Sequence, residues 1–191
     1  MNIIETNLKF GAMTNRKSTS RIILHHAEAS HCTAADIHRW HLNNGWAGAG
    51  YHFLVRKDGS IYRLRPENKV GSHAKGANSN SIGICFEGAY MTETMPQAQI
   101  NAGKELVAYL KSKYGISKVQ RHSDVYPTSC PGTNFPFDEI AGASGKVNAN
   151  VIKNNSNNNS SSLRRSRHRT KSLFCCMCVN VFYTDGIMTH H

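Results

Sequence analysis

The stretch RHSDVYPTSCPG carries a histidine, His122, and a cysteine, Cys130, eight positions apart. Such residues serve as a thiol nucleophile with its base, as metal ligands, or as ordinary loop residues. No Cys-x2-Cys or His-x3-His pair accompanies them, which disfavours a closed structural zinc site. Cys130 lies between Ser129 and Pro131 in a predicted loop, whereas activated cysteine nucleophiles commonly lie at a helix N-terminus. A catalytic metal site therefore fits this stretch better than a thiol nucleophile or a closed zinc site.

A catalytic zinc site needs three protein ligands and one open position. His25 and His26 follow the apolar run Ile22-Ile23-Leu24, which predicts a short buried strand. Either histidine is a candidate third ligand, because ligands usually converge from separate strand ends. A thiolate with two imidazoles suits zinc, which accepts mixed nitrogen and sulfur ligands. Since the chain contains 11 histidines, chance triples are common, and histidines with purely structural hydrogen bonds remain an open alternative.

The elements that must position these residues follow from apolar periodicity and from start and stop signals. A capping box predicts a helix from Thr33 to Gly45, and Asp58-Gly59 predicts the turn of a hairpin within YHFLVRKDGSIYRLRP. The order β-α-β-β-β-α-β predicts an α/β fold with a single mixed central β-sheet flanked by helices. The other predicted elements are a strand at 22–24, a central strand at 81–87, a helix from Pro96 to Gly115, and a short strand at Val119 that leads into His122.

The composition divides the 191 residues into one domain and a basic tail. We expect an N-terminal segment at 1–20, the folded domain at 21–141, a Gly/Asn/Ser-rich linker at 142–162 and the tail at 163–191. The formal net charge is +11, and seven of the 23 Lys and Arg residues but one of the 12 acidic residues follow residue 140. Such a tail could bind an acidic polymer or surface, or could serve solubility alone. Its Cys175-Cys176-x-Cys178 cluster near His168 could bind a metal, although the composition favours a disordered, thiol-rich end.

The first residues, MNIIETNLKFGAMTNRKSTS, lack the apolar run of a secretory signal. No stretch reaches the length of a membrane span. We therefore expect synthesis in the cytoplasm without a signal peptide. The 6 cysteines show no framework spacing, so they are predicted to be thiols or ligands rather than disulfides.

Four stretches together resemble the zinc-dependent N-acetylmuramoyl-L-alanine amidases, a family that includes phage lysozyme-type endolysins and animal peptidoglycan recognition proteins. They cover about residues 20–140, in order, and are IILHHAEAS, GWAGAGYHFLVRKDGSIYRLRP, VGSHAKGANSNSIGICFEG and RHSDVYPTSCPGTNFPFDEI. The resemblance implies hydrolysis of the amide bond between N-acetylmuramic acid and L-alanine in bacterial peptidoglycan by a zinc-activated water. Animal recognition proteins usually carry a disulfide near the first helix, and the sequence suggests no second cysteine to form such a disulfide with Cys32. The phage or bacterial branch, with its endolysins and autolysins, is therefore the closer likeness.

The resemblance also assigns the site. It implies one zinc ion with His25, His122 and Cys130 as ligands, and it implies Tyr51 and Thr128 as catalytic residues, with Thr128 facing the substrate. Without the family, Tyr51 would be expected to pack its ring within a strand. Members that bind peptidoglycan without cleaving it typically lack the cysteine ligand, so a non-catalytic peptidoglycan-binding module is the alternative. A regulatory protein that acts through its basic tail is a third reading.

Other residues have weaker assignments. His73 and Asn80 are predicted to line the substrate groove, with ordinary loop hydrogen bonds as the alternative. His26 is expected to support the site or the structure, because neighbours on a strand point to opposite faces. Glu87 shares a face with Cys85 and is a candidate base. Three further histidines are expected to be structural or exposed: His38, His41 and His52.

The implied partner is bacterial peptidoglycan, reached after release or lysis. The basic tail is a candidate contact for anionic cell-wall polymers. No nucleic acid and no transmembrane segment are required, and a monomer is expected.

Overall fold

The computed structural model of the chain describes residues 1–142. The predicted tail, its Cys175-Cys176-x-Cys178 cluster and all but the first residue of the predicted linker lie outside the described residues. Within that part, no helix has the length and apolar character needed to cross a membrane. The described residues form an α/β fold with one mixed β-sheet and helices on both faces, as the sequence predicts.

Within residues 1–142, six strands form the sheet. They are β1 (Ile3–Glu5), β2 (Arg21–His26), β3 (Phe53–Val55), β4 (Ile61–Arg63), β5 (Ser81–Phe86) and β6 (Val119–Arg121). Their spatial order is β1-β4-β3-β5-β2-β6. The hairpin partners β3 and β4 are antiparallel, and all other neighbours are parallel. β5 lies between β3 and β2 and is buried along its whole length, which confirms the predicted central strand.

In the part of the chain that the structure describes, three helices pack against the sheet: α1 (Ala34–Asn43), α2 (Gln97–Tyr114) and α3 (Phe137–Ala141). α1 begins at the predicted capping box, where the Thr33 hydroxyl accepts the Asp36 N–H at 3.2 Å and the Asp36 carboxylate accepts the Thr33 N–H at 3.0 Å. α2 follows Pro96 and ends at Gly115. The φ of 61° at Gly115 is a left-handed conformation that glycine adopts without strain.

Alternation along the strands gives the sheet two different faces. The α2 face packs against α2 and α3 through a large apolar cluster that includes Ile22, Leu24, Phe86 and Leu106. The α1 face packs against α1 through a smaller cluster that includes Ile37, Tyr51, Leu54 and Cys85. His25 and His26 are consecutive in β2, so His25 points to the α1 face and His26 to the α2 face.

The structure adds two elements to the predicted order. β1 pairs in parallel with β4 and joins the segment 1–20 to the sheet. α3 is a helix of five residues. Both are too short to show apolar periodicity in the sequence. The strand predicted at 81–87 ends one residue earlier, at Phe86.

Candidate metal centre

Parallel pairing of β2 with β6 brings two predicted ligands together. Leu24 pairs with Arg121, so the next residues, His25 and His122, leave the carboxyl ends of adjacent strands side by side. Their ring centroids lie 4.5 Å apart, and both side chains are buried. Residues distant in sequence thus become neighbours through sheet register alone.

The loop from His122 to Cys130 folds back on itself. His122 begins a single 3-10 turn, His122–Asp124, and the Asp124 carboxylate accepts the Arg121 N–H at 2.7 Å. The Ser123 N–H then donates to the Cys130 carbonyl at 3.0 Å. This hydrogen bond closes the loop and returns Cys130 to the two histidines.

Among residues 1–142, the group of possible metal ligands consists of His25, His122 and Cys130. Their ligand atoms all lie within 4.8 Å of one another, with 3.8 Å between His25 Nδ1 and Cys130 Sγ. A tetrahedral zinc ion, with bonds of about 2.3 Å to sulfur and about 2.0 Å to nitrogen, would place those two atoms about 3.5 Å apart. Two imidazoles and a thiolate are also a ligand set that zinc accepts. The three predicted ligands therefore fit a zinc ion.

Burial keeps the two imidazoles neutral. It lowers the pKa of His122 to about 4. Burial, together with the nearby imidazoles of His73 and His122, lowers the pKa of His25 well below its ordinary value. A histidine ligand must be free of a proton on the nitrogen that binds the metal. Near neutral pH both rings can therefore present a lone pair.

Two hydroxyl side chains predicted to act on the substrate lie beside these ligands. The Tyr51 ring is buried among imidazoles, its centroid 5.0 Å from that of His25 and 5.3 Å from that of His41. Thr128 lies within the loop that ends at Cys130, and its Oγ1 accepts the Cys130 N–H at 3.3 Å. Because the oxygen of Thr128 is the acceptor there, its own O–H hydrogen is able to donate to another group.

His73, predicted to line the substrate groove, is buried against His25. Its Nδ1 lies 3.0 Å from His25 Nε2, and its Nε2 lies 3.2 Å from Ser81 Oγ. Asn78, which the sequence did not single out, accepts the N–H groups of His73 and Ala74 on Oδ1, both at 2.8 Å. The available signal was its place in an Asn/Ser-rich loop, where such side chains often bond nearby backbone.

Asn80 and His26 bond to groups outside the ligand cluster. In the amide orientation that satisfies both ends, Asn80 donates to the Ala77 carbonyl and accepts from Arg21 Nη2. His26 Nδ1 accepts the Tyr90 N–H at 3.1 Å. Substrate contact by Asn80 stays a prediction. His26 occupies the structural position, on the opposite face from His25, that strand alternation predicts.

Glu87 shares a sheet face with Cys85, and donors surround its carboxylate. Arg56 approaches it at 3.2 Å through Nη2, while the N–H groups of Lys57 and Cys32 donate at 2.9 Å and 3.1 Å. Burial raises the pKa of Glu87, but these donors outweigh it, so the pKa lies below its ordinary value. This environment favours an ion-paired structural role over that of a base.

Arg65 also positions the site, although the sequence does not distinguish it from a surface arginine of a hairpin. Its side chain is buried, and it donates to the carbonyls of Ala49 at 2.7 Å and Val70 at 2.6 Å. Those carbonyls shortly precede Tyr51 and His73 in the chain, so Arg65 joins the two segments that carry them. Burial lowers the pKa of Arg65 to about 10.

Comparisons with known proteins find relatives of one family. Residues 15–133 match the family model described as N-acetylmuramoyl-L-alanine amidase. The chain is 37% identical over 127 residues to an endolysin of Klebsiella phage KP32, across 62% of this chain and 83% of the endolysin. It is 38% identical over 133 residues to peptidoglycan-recognition protein SC2 of Drosophila melanogaster, across 63% and 72% respectively. The solved structure of N-acetylmuramoyl-L-alanine amidase LysC from Clostridium intestinale URNW matches with a TM-score of 0.73 at 42% identity, across 74% of this chain and 96% of LysC.

Proposed function

Because this chain belongs to the N-acetylmuramoyl-L-alanine amidase family, we propose that it hydrolyses the amide bond between N-acetylmuramic acid and L-alanine in bacterial peptidoglycan. We further propose that the reaction depends on one zinc ion held by His25, His122 and Cys130. The observation that carries the proposal is the buried Cys130 Sγ, 3.8 Å from His25 Nδ1. With this thiolate the set reaches three protein ligands, the number that catalytic zinc sites use together with one open position.

An amide is a poor electrophile with a poor leaving group, so its hydrolysis needs charge stabilisation and proton transfer. A bound zinc ion supplies Lewis acidity at the carbonyl and lowers the pKa of water. Tyr51 and Thr128 each offer a hydroxyl that can donate to the carbonyl oxygen as it becomes negative. Because Tyr51 is only 2% exposed, little water competes for that hydrogen bond, and the low local dielectric strengthens it.

The place of action and the tail are further parts of the proposal. We propose that the protein reaches the cell wall after release or lysis, as an endolysin or autolysin does. Contact between the basic tail and anionic wall polymers stays a prediction of the sequence, as does the monomeric state.

The test is to identify the chemical ends that the full chain releases from purified peptidoglycan. We expect new free amines on L-alanine, whereas new reducing sugar ends would indicate a glycosidase and contradict the proposal. Removal of zinc with a chelator should abolish the release, and added zinc should restore it. Activity that survives complete removal of zinc would overturn the metal-dependent mechanism. Tight binding of the wall by zinc-loaded protein without any release would identify a non-catalytic binding module.

Two separate buried cysteines, Cys130 and Cys32, provide a test variant and its matched control. Cys130→Ser should lower the release rate on the order of a thousandfold, because several kcal/mol of charge stabilisation depend on the metal. Cys32→Ala is the control, since Cys32 is also buried but lies outside the ligand group. The hydrogen bond from Cys32 to Glu87 uses the backbone N–H and survives this change. Circular dichroism of both variants checks that they are folded.

A further inference from the structure

We propose that His73 and Ser81 are positioning residues that fix the tautomer and orientation of His25, so that its Nδ1 presents a lone pair to the metal. The inference rests on the proposed zinc site. It gives His73 a different role from the substrate contact that the sequence predicts. Three hydrogen bonds carry it: from Ser81 to Ala77, between His73 and Ser81, and between His25 and His73.

The direction of these hydrogen bonds is set at the far end of the chain. The Ala77 carbonyl can only accept, so the Ser81 hydroxyl donates to it, at 2.7 Å. A hydroxyl has one hydrogen, so Ser81 Oγ must then accept from His73 Nε2–H, at 3.2 Å. The proton of a neutral His73 therefore lies on Nε2, and its Nδ1 carries the lone pair.

The same reasoning continues to the ligand. His73 Nδ1 accepts from His25 Nε2–H at 3.0 Å, so the proton of His25 also lies on Nε2. The remaining nitrogen, His25 Nδ1, faces Cys130 Sγ at 3.8 Å with its lone pair available. The opposite direction would remove the 2.7 Å hydrogen bond from Ser81, leaving Asn80 as the side-chain donor to the Ala77 carbonyl. It would also place a proton on His25 Nδ1, where the metal must bind.

Burial makes this arrangement costly to disrupt. The exposed fractions are 0% for His25, 3% for His73 and 0% for Ser81. Water therefore cannot readily replace a lost partner, and a buried polar group without one keeps the full penalty of its desolvation. The chain of hydrogen bonds consequently favours a single tautomer of His25 before any metal arrives.

The backbone around His73 is built to hold its ring in place. A Cβ at Gly83 would lie 2.5–2.7 Å from three atoms of the imidazole, so only glycine leaves room for the ring above β5. Asn78 holds the backbone of His73, because its Oδ1 accepts the His73 backbone N–H. His73 is thus held through its backbone by Asn78 and through its ring by Ser81.

The experiment measures zinc affinity of the full chain by competition with a chromophoric chelator. Loss of a group that orients a ligand typically weakens metal binding about 10- to 100-fold, and we expect this for His73→Ala. His73→Gln keeps a side-chain oxygen that can accept from His25, so it should recover most of the affinity. Ser81→Ala should weaken binding less than His73→Ala, since only the orientation of the His73 tautomer is lost. Ser79→Ala, an exposed change two residues away, is the control and should bind zinc as the wild type does.

Several results would overturn the inference. His73→Ala could bind zinc as tightly as the wild type, with its effect confined to the KM for peptidoglycan; His73 would then be the substrate contact that the sequence predicts. Equal losses in His73→Gln and His73→Ala, with both variants folded by circular dichroism, would exclude the acceptor role. A wild-type chain that binds zinc but releases no L-alanine contradicts only the proposed function, whereas one that binds no zinc contradicts both.

Discussion

The α1 face and the α2 face of the sheet bury histidines in different surroundings. His26 enters the α2 face, where its Nδ1 accepts a backbone N–H from Tyr90 beside the large apolar cluster. His25, the preceding residue, enters the α1 face and lies against the imidazoles of His73 and His122. A buried histidine can take part in chemistry where several polar side chains converge on it, as they do around His25. Burial alone gives a histidine only a structural role.

The two faces also fill their space differently. The α2 face is packed by large side chains such as Phe86 and Leu106, both with 0% exposure. On the α1 face, Gly83 provides no side chain, and the ring of His73 occupies the vacant space. A close-packed apolar face stabilises the fold, whereas a face with glycine gaps can hold several imidazoles against one another. Stability and chemistry should therefore respond to different substitutions.

The largest expected contrast comes from the two neighbouring histidines. His25→Ala removes a proposed zinc ligand, and we expect the amidase rate to fall on the order of a thousandfold, about 4 kcal/mol in activation free energy. His26→Ala instead leaves the buried Tyr90 N–H without its acceptor, so the free energy of unfolding should drop by about 1–3 kcal/mol. Product release and urea unfolding measure the two effects. Equal losses of zinc affinity in both variants would contradict the division of the sheet into two faces.

A substitution in α2 tests whether the α2 face can lose stability without a loss of zinc affinity. Leu106→Ala should lower the free energy of unfolding by about 2–5 kcal/mol, because it removes buried methyl groups and leaves a cavity in the large cluster. Zinc affinity of the folded variant should stay within about threefold of the wild type, since no ligand or its hydrogen-bond partner changes. Urea titration and chelator competition provide both values. A parallel collapse of zinc affinity at low temperature, where the variant is folded, would show that the two faces are coupled.

The sequence predicts the elements well because their signals are local. The capping box at Thr33, the stop at Gly115 and the alternation that separates His25 from His26 all depend on near neighbours. Proximity of His25 to His122 has no local signal, because it arises from the pairing of Leu24 with Arg121 in β2 and β6. The resemblance to a known family supplied that link.

The residues that surround His73 and Glu87 could not be predicted from the sequence for a similar reason. The burial of His73 depends on the absence of a side chain at Gly83 and on the anchor that Asn78 provides. Alternation placed Glu87 on the correct face, but its capture by Arg56 and the Lys57 N–H depends on how the hairpin folds over it. Such partners are fixed by tertiary contacts that no short stretch encodes.

The smallest expected effect is on the pH dependence of the free energy of unfolding. It concerns His52, a histidine of the α1 face that lies outside the ligand group. The His52 ring is 5.7 Å from that of His73, its Nδ1 accepts the Gly83 N–H at 3.1 Å, and its Nε2 donates to the Lys69 carbonyl at 2.9 Å. Burial lowers the pKa of His52 to about 3; the hydrogen bond to the Lys69 carbonyl opposes this shift, and the charge of Arg16 adds to it. The folded chain therefore leaves this ring unprotonated down to about pH 3, whereas the unfolded chain protonates it below about pH 6.5.

The sign follows from proton binding. Between about pH 6.5 and 3 the unfolded state binds one more proton at His52 than the folded state, so stability falls as the pH falls. This residue should contribute up to about 1.4 kcal/mol per pH unit to that slope. Urea unfolding of zinc-free protein at pH 7.5, 6 and 5 should show a shallower slope for His52→Gln, whose amide can still bond to the backbone. An unchanged slope would mean that His52 titrates alike in both states. The α1 face would then tolerate a charged imidazole, and the two faces would differ less in how they bury histidines than the structure indicates.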